Sequence, residues 1–381
     1  MLKKFLHHPR KLWLRRALFQ IHLWMGVLLS AYLFVIGLSG SILVFQQEIR
    51  AASLPHPPYN RAHIARASTV LAAAHKHFPQ DEITYFELPQ PESPWWTIYL
   101  EDAHHERNLA YANAATGQIL PQRHPLWIDW VLALHIYLLM GRTGFIINCL
   151  AGSGLFLLAL SGAVLWWPGL RFWTRGMRVS LRHRWQRVNF DLHSAVGFWT
   201  LAIVSWWGFT AIYFLFPQPI AAIVNRISPL RGMKPPALIA RTQIDSSAAP
   251  NLSVDALLKR ASLYSHGRIE GMGLAGKQDK TVAIYIDRAA PGDFTHRDIV
   301  TLDPKSGALL SLWHYGENRS LGDWFLLLIY PLHFGTLWGM GVKILWALLG
   351  LSLPILSLTG LLMYWNRWLS KRASRWLGKT A

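Results

Sequence analysis

Four histidines stand in apolar sequence: His22, His135, His193 and His333. An ionisable side chain inside a membrane-length apolar run is costly, which makes each a candidate for function. Taken singly, each could be a histidine hydrogen-bonded to a neighbouring helix. They come in matched pairs, however. His135 is followed by Gly141, Gly162, Trp166 and Trp167, and His333 is followed at the same intervals by Gly339, Gly360, Tyr364 and Trp365. His22 with Gly26 and Phe45 is repeated by His193 with Gly197 and Phe216. Two imidazoles facing each other across a helical bundle can hold a six-coordinate haem iron with no free site for oxygen. The pattern therefore predicts two bis-histidine haem b groups, one held by His22 and His193 and one by His135 and His333. Zinc or copper is the rival, but two histidines alone make a poor zinc site, and the apolar runs offer no carboxylate or cysteine partner nearby.

The pairing follows from depth. From His22 to Phe45 is about 35 Å of helix at about 1.5 Å per residue, so His22 and His193 belong near one membrane face. His135 and His333 precede apolar runs that return, which puts them near the other. A repeat axis along the membrane normal then sets His22 opposite His193 and His135 opposite His333. Pairing His22 with His135 inside one half is excluded only by this depth argument. Gly26 and Gly197, one helical turn past their histidines, would let a flat porphyrin approach. Arg142 and Lys343 follow the outer histidines and are candidates for haem propionates, although interfacial snorkelling explains them equally well.

The elements that must position these residues are apolar runs at about 18–46, 145–167, 195–216 and 342–365, each long enough to span a bilayer. With 52% hydrophobic residues and 20 Trp, the chain is a membrane protein by composition. Lys3, Lys4, Arg10, Lys11, Arg15 and Arg16 precede the first run; Arg171, Arg175, Arg178, Arg182, Arg184 and Arg187 lie between the second and third; Arg367, Lys371, Arg372, Arg375 and Lys379 follow the fourth. No Asp or Glu interrupts these segments, so all three are expected to be cytoplasmic. The expected organisation is 1–48 N-terminus and span one, 49–125 first outer module, 126–168 outer-edge helix and span two, and 169–189 basic loop. Span three follows at 190–216, then a second outer module at 217–322, an outer-edge helix and span four at 323–367, and a basic tail at 368–381.

Residues 126–140 and 324–338 are too short to span and read as helices at the outer membrane edge. They are broken from the next span by Gly141/Gly144 and by Gly339/Gly341, and Pro331 bends the second. Each outer segment reads as a helix followed by strands. In the first, Ser68 is placed to cap a helix through Leu71 to Phe78, with strands at 83–88, 95–101 and 109–112. In the second, a Pro-rich leading loop precedes a helix capped by Ser253 (Val254 to Tyr264) and strands near 281–287 and 298–302. The turns Asn113-Ala-Ala-Thr116-Gly117 and Asp303-Pro304-Lys305-Ser306-Gly307 match in layout. Trp95, Trp96 and Tyr99 could present a surface, though such alternation is ordinary in sheet packing.

The fold class is thus an α-helical integral membrane protein: a four-span bundle built as a tandem two-fold repeat, with two small α+β modules outside. The single cysteine, Cys149, rules out intrachain disulfides and covalent Cys-x-x-Cys-His haem attachment. The net charge of +18 sits beside the spans, where topology explains it, so nucleic acid is not an expected partner. The first apolar run is too long for a signal-peptide core and reads as a retained anchor. No dinucleotide-binding fingerprint follows a strand and opens a helix, so the electron donor must be separate.

Several short motifs resemble the PepSY-associated transmembrane family of bacterial inner-membrane proteins: Ile21-His22-Leu-Trp-Met-Gly26, Ala115-Thr116-Gly117-Gln118-Ile119-Leu120, Leu134-His135, Leu160-Ser161-Gly162, Asp191-Leu192-His193, Asp303-Pro304-Lys305-Ser306-Gly307 and Leu332-His333. The likeness runs over nearly the whole chain and is greatest to the siderophore-reductase members, those acting on ferrioxamine in particular. It implies PepSY-like periplasmic modules, an inner-membrane location with both termini cytoplasmic, and electron transfer to a ferric siderophore in the periplasm from a cytoplasmic reductase or quinol. A permease for an iron chelate and a non-enzymatic PepSY-type binding or regulatory protein are the alternatives.

Overall fold

A computed structural model describes residues 13–55, 59–91, 93–102, 107–120, 126–167, 174, 176–238, 251–274, 281–288, 296–317 and 320–369. Lys3, Lys4, Arg10, Lys11, Arg171, Arg175 and the basic residues of the tail from Lys371 onward lie outside the described residues. The chain divides into a helical unit (1–46, 129–222, 329–381) and a sheet unit (47–128, 223–328).

In the helical unit, α1 (Trp13–Leu43), α5 (Gly141–Trp166), α6 (Trp185–Leu215) and the pair α10 (Met340–Gly350) and α11 (Ser352–Tyr364) are long and apolar enough to cross a membrane. α1 packs on α5, α5 on α6, α6 on α11 and α11 on α1, which closes a ring. In lipid, helices associate through close backbone approach. Here two glycines provide it: a Cβ on Gly37 would lie 2.6 Å from Pro354 Cδ and 2.7 Å from Leu353 Cβ, and one on Gly208 would lie 2.5 Å from Phe156 N. The fourth span breaks at Leu351 because Pro354, lacking an N–H, cannot bond the Gly350 carbonyl. At one end Arg15 caps α5, donating to Trp167 O at 2.8 Å and to Val164 O at 3.3 Å.

The short apolar segments are helices α4 (Trp127–Tyr137) and α9 (Leu321–Phe334), with Pro331 inside the latter. The break after α4 runs from Leu138 to Gly141, which itself has φ 55°, and does not reach Gly144. Leu138 and Leu139 turn left-handed at φ 48° and 60°, and Gly144 is already inside α5. In the second half the turn lies at Gly335–Gly339, and Gly341 is inside α10. The freed carbonyls of α4 are satisfied by Asn148 Nδ2, which donates to His135 O at 2.7 Å, while Asn148 Oδ1 accepts from Tyr32 Oη at 2.7 Å. At the corresponding place in the second half, Trp346 Nε1 donates to Leu332 O at 2.8 Å.

In the sheet unit the expectation of two separate modules is corrected. Strands β1 (Glu82–Glu87), β2 (Trp95–Glu101) and β3 (Arg107–Asn113) join β4 (Arg268–Gly273), β5 (Val282–Asp287), β6 (Arg297–Leu302) and β7 (Leu309–Tyr315) in one antiparallel sheet, ordered β3-β2-β1-β4-β5-β6-β7. The physical reason is the exposed ladder on β1, whose unpaired N–H and C=O groups need a partner. β4 supplies it, with Tyr85 opposite Gly273, Phe86 opposite Met272 and Glu87 opposite Gly271. Helices α3 (Ala67–His77) and α8 (Val254–Tyr264) cover one face, burying Phe86, Trp96, Ile98, Leu100, Met272 and Ile284 in a common core. Ser253 caps α8 by accepting from Ala256 N–H at 3.2 Å. Ser68 does not cap α3; it lies inside the helix, and its hydroxyl donates to Asp255 on α8. Two further helices are present, α2 (Gln46–Ser53) after span one and α7 (Pro217–Ile227) after span three, the latter in the stretch expected as a Pro-rich loop.

The two turns are alike in detail. Asn113 Oδ1 accepts from Ala115 and Thr116 N–H at 2.9 and 3.1 Å, and Asp303 Oδ1 accepts from Lys305 and Ser306 N–H at 3.0 and 2.9 Å. Gly117 and Gly307 close them at φ 69° and 67°, a conformation other residues rarely adopt.

At the β1/β4 seam, burial pushes the Glu87 carboxyl above its ordinary value, and the hydroxyl of Tyr99, donating at 2.9 Å, together with Arg50 and Arg297 offsets only part of that. The folded state thus favours the protonated acid. Its stabilising contribution is complete below the ordinary glutamate value and is lost as pH rises through the higher folded value. Glu87→Gln is therefore expected to melt higher than wild type at pH 7, with the difference vanishing toward pH 4. Thermal unfolding followed by near-UV circular dichroism tests this, and a pH-independent difference would contradict it.

Candidate haem-binding histidine pairs

The structure brings the four histidines together as two pairs. The rings of His22 on α1 and His193 on α6 have centres 6.5 Å apart, with planes at 88°. Those of His135 on α4 and His333 on α9 are also 6.5 Å apart, with planes at 64°. His22 and His135, the alternative pair, sit at opposite ends of α1, because His135 contacts Ser39. Along that helix the two sites are about 25 Å apart at about 1.5 Å per residue.

Each ring is fixed by a hydroxyl on a neighbouring span. His22 Nδ1 meets Ser161 Oγ at 3.0 Å, His135 Nδ1 meets Ser39 Oγ at 2.9 Å, His193 Nδ1 meets Thr359 Oγ1 at 2.8 Å and His333 Nδ1 meets Thr210 Oγ1 at 2.6 Å. Every one of these hydroxyls spends its hydrogen on a backbone carbonyl of its own helix. Ser161 donates to Leu157 O at 2.7 Å, Ser39 to Val35 O at 2.8 Å, Thr359 to Ile355 O at 2.6 Å and Thr210 to Trp207 O at 2.7 Å. The oxygen can then only accept from the ring, so Nδ1 carries the proton and Nε2 keeps its lone pair. That is the tautomer a metal-ligating histidine needs, held by its outer-shell partner.

The spacing fits one ion between two rings. An imidazole nitrogen lies about 1.1 Å from its ring centre and about 2.0 Å from a coordinated metal, so two opposed rings have centres about 6.2 Å apart. One turn from His22 and from His193 the helix surface is uncrowded. A Cβ on Gly26 would touch only Leu158 Cδ2 at 3.9 Å, and one on Gly197 only Leu356 Cδ2 at 3.7 Å. By contrast Gly40, Gly162 and Gly360, each following one of the hydroxyl residues, lie against the rings themselves. Their added Cβ would meet His135 Cε1 at 3.0 Å, His22 Cε1 at 3.2 Å and His193 Cε1 at 3.5 Å. Among the described residues no group of three or more His, Cys, Asp or Glu is placed to hold a metal ion, so neither pair gains a third protein ligand of those types.

Arg142 is exposed in the first turn of α5 and Lys343 half-buried in the first turn of α10. Trp95 and Trp96 do not form a surface: both are buried, and Trp96 packs on Phe86 with ring centres 5.9 Å apart. Phe214 on α6 and Phe334 flank His333, with ring centres 5.2 and 5.6 Å from the imidazole, and Tyr330 packs on Phe214 at 5.4 Å. Ser39, Thr210 and the ligand-holding role of Ser161 and Thr359 were missed in the sequence. The signal was available: Ser39-Gly40, Ser161-Gly162 and Thr359-Gly360 are hydroxyl-glycine pairs, and Thr210-Ala211 falls after His193 just where Ser39-Gly40 falls after His22.

A family described as PepSY-associated TM region matches residues 19–367. An uncharacterized protein of Pseudomonas aeruginosa strain PAO1 is 30% identical over 278 residues, which cover 65% of this chain and 64% of that relative's length.

Proposed function

The chain belongs to the PepSY-associated transmembrane family, and from that premise we propose that it is an inner-membrane b-type dihaem reductase that passes electrons to a ferric siderophore in the periplasm. The observation that carries the proposal is the pair of facing imidazoles at each end of the bundle, 6.5 Å between centres, each with Nδ1 tied to a hydroxyl. Two-ligand pairs suit a metal whose remaining ligands come from a macrocycle, which favours haem over zinc or copper. The basic residues flanking the spans support cytoplasmic termini. The matched turns, hydroxyl contacts and glycine contacts of the two halves support reading the chain as a tandem repeat about an axis along the membrane normal.

In this reading His22 and His193 would hold one haem and His135 and His333 the other, with Arg142 and Lys343 the cations that would serve the propionates of the second. Bound haem supplies one-electron chemistry without proton bookkeeping. The protein's own work is to bind, to fix the imidazole tautomer through Ser161, Ser39, Thr359 and Thr210, and to exclude water with the apolar spans. Hydroxamate-type oxygens hold hard Fe(III) tightly and Fe(II) far less, so reduction is release. The donor is a separate cytoplasmic reductase or membrane quinol.

The test is the visible spectrum of purified protein, oxidised and dithionite-reduced, with a pyridine haemochrome assay. The expected result is a sharp low-spin b-type spectrum with close to two haems per chain, followed by anaerobic reoxidation on adding a ferric tris-hydroxamate. A colourless protein from haem-supplied cells would remove the proposal. Accumulation of an intact chelate in sealed vesicles without reduction would favour a permease.

A further inference from the structure

Each imidazole sits in a slot made by two consecutive residues of a neighbouring span. In three of the four, a hydroxyl meets Nδ1 and the glycine after it leaves room for Cε1, the next atom of the ring. These slots are Ser161-Gly162 for His22, Thr359-Gly360 for His193 and Ser39-Gly40 for His135. Contact at two adjacent ring atoms fixes the plane of the ring as well as its tautomer. For the first pair the slots lie on different helices, α5 and α11, so each ring is set without regard to the other, and the planes stand at 88°. The fourth slot, Thr210-Ala211 for His333, departs from the pattern. Ala211 turns its methyl to Gly152, where an added Cβ would lie 2.5 Å from it. The pair that includes this slot is the less crossed, at 64°.

We infer that these hydroxyl and glycine residues are positioning residues that hold the imidazole planes crossed, and that crossing raises the reduction potential of the haem each pair would ligate, most of all at His22 and His193. The inference rests on the dihaem reading for the cofactor, and it adds what sets the potential.

In low-spin ferric haem the unpaired electron occupies one of two iron d orbitals that stand out of the porphyrin plane, and an axial imidazole raises the one perpendicular to its own ring. Coplanar rings raise the same orbital, which separates the two and stabilises the ferric state. Crossed rings raise both alike, so that stabilisation is lost and the ferrous state is favoured by comparison. The nearly degenerate orbitals also carry a large orbital moment, which makes the ferric resonance strongly anisotropic. Free to turn, two imidazoles on ferric iron would relax toward a common plane, and the slots prevent it. The lever is the orientation of the axial ligand, applied through the partner of its second nitrogen.

The experiment uses full-length, haem-loaded, fully oxidised protein in detergent, and reads its low-temperature electron paramagnetic resonance spectrum alongside a potentiometric titration. Wild type is expected to show two strongly anisotropic low-field features rather than the three-line rhombic pattern of coplanar imidazoles. The more extreme feature belongs to His22 and His193 and should survive in His333→Ala. Crossing is nearly complete at 88°, so any rotation of the His22 ring reduces it. Gly162→Ala supplies that rotation while Ser161 keeps its bonds, because the new methyl would begin 3.2 Å from His22 Cε1. It is expected to move the extreme feature toward the rhombic pattern and to lower the midpoint potential of the same haem, with haem content unchanged and melting temperature no lower. Gly360→Ala, whose methyl would make an ordinary 3.5 Å contact with His193 Cε1, should shift the feature less. Ser161→Ala should shift it as Gly162→Ala does, and Ser161→Thr should restore it, since Thr359 and Thr210 already serve two of the rings. A rhombic wild-type spectrum with two haems per chain overturns the inference and leaves the dihaem reading standing. So does a feature unmoved by both Gly162→Ala and Ser161→Ala. Crossed-plane spectra that shift as expected, in a protein whose reduced haems are not reoxidised by a ferric chelate, uphold the inference and refute the reductase.

Discussion

Replacing His333 by Ala is expected to reduce the haem content of the purified protein from two per chain to one, and the His135→Ala/His333→Ala double variant should lose no more. Both residues face one gap, so a site that has lost either imidazole would no longer retain its haem, and removing the second would take nothing further. The other site is about 25 Å along α1 and shares no ligand with it. The fold should survive, because Thr210 keeps its bond to the Trp207 carbonyl when the imidazole is gone, so no buried hydroxyl is orphaned. His333→Phe preserves ring volume and controls for the cavity. Pyridine haemochrome stoichiometry on protein matched for melting temperature is the measurement. Equal loss of both haems from each single variant, with the fold intact, would show that the sites are not separate.

A second contrast separates packing from cofactor space. Gly208→Leu should destroy the bundle, because the new side chain would begin 2.5 Å from Phe156 N and 2.8 Å from its Cα, and backbone cannot swing aside. Overpacking typically costs about 1–3 kcal/mol, and more where the obstacle cannot move, and the expected outcome is loss of the monodisperse detergent-solubilised peak. Gly26→Leu is expected to leave that peak and the melting temperature of the haem-free chain unchanged, since a Cβ there would touch only Leu158 Cδ2, at 3.9 Å, a flexible side-chain end that can move aside. It should nevertheless abolish one haem, because residue 26 shares the helix face of His22 one turn away. Retention of both haems by Gly26→Leu would mean that no porphyrin lies over that face.

The spans and the histidines were legible because both rest on local signals: apolar length, bounding charge, and spacing repeated within one chain. The turns at Asn113 and Asp303 were legible for the same reason. Helix starts were less so. Ser68 looked like a cap, but its hydroxyl is spent on Asp255, almost the whole outer region away in sequence. The hydroxyls behind the histidines were hidden by their chemistry, since Ser and Thr in apolar helices ordinarily bond their own backbone, and these do that as well. The seam was illegible for a different reason. Nothing in residues 82–87 names 268–273 as their partner, and in the second outer segment the strand pattern shows only near 281–287 and 298–302, so Arg268–Gly273 goes unread as a strand.

That seam sets an order on biosynthesis. β1 leaves the ribosome roughly 180 residues before β4, which at about 5–20 residues per second is a wait on the order of ten to forty seconds. During that time the first three strands wait with the β1 ladder unpaired, the kind of open edge that captures other chains. Two further spans must be inserted before the cognate strand arrives. A gene for the first half alone would encode a protein with a permanently unsatisfied edge, so once the two outer segments had come to share a sheet, neither half of this chain could be inherited without the other.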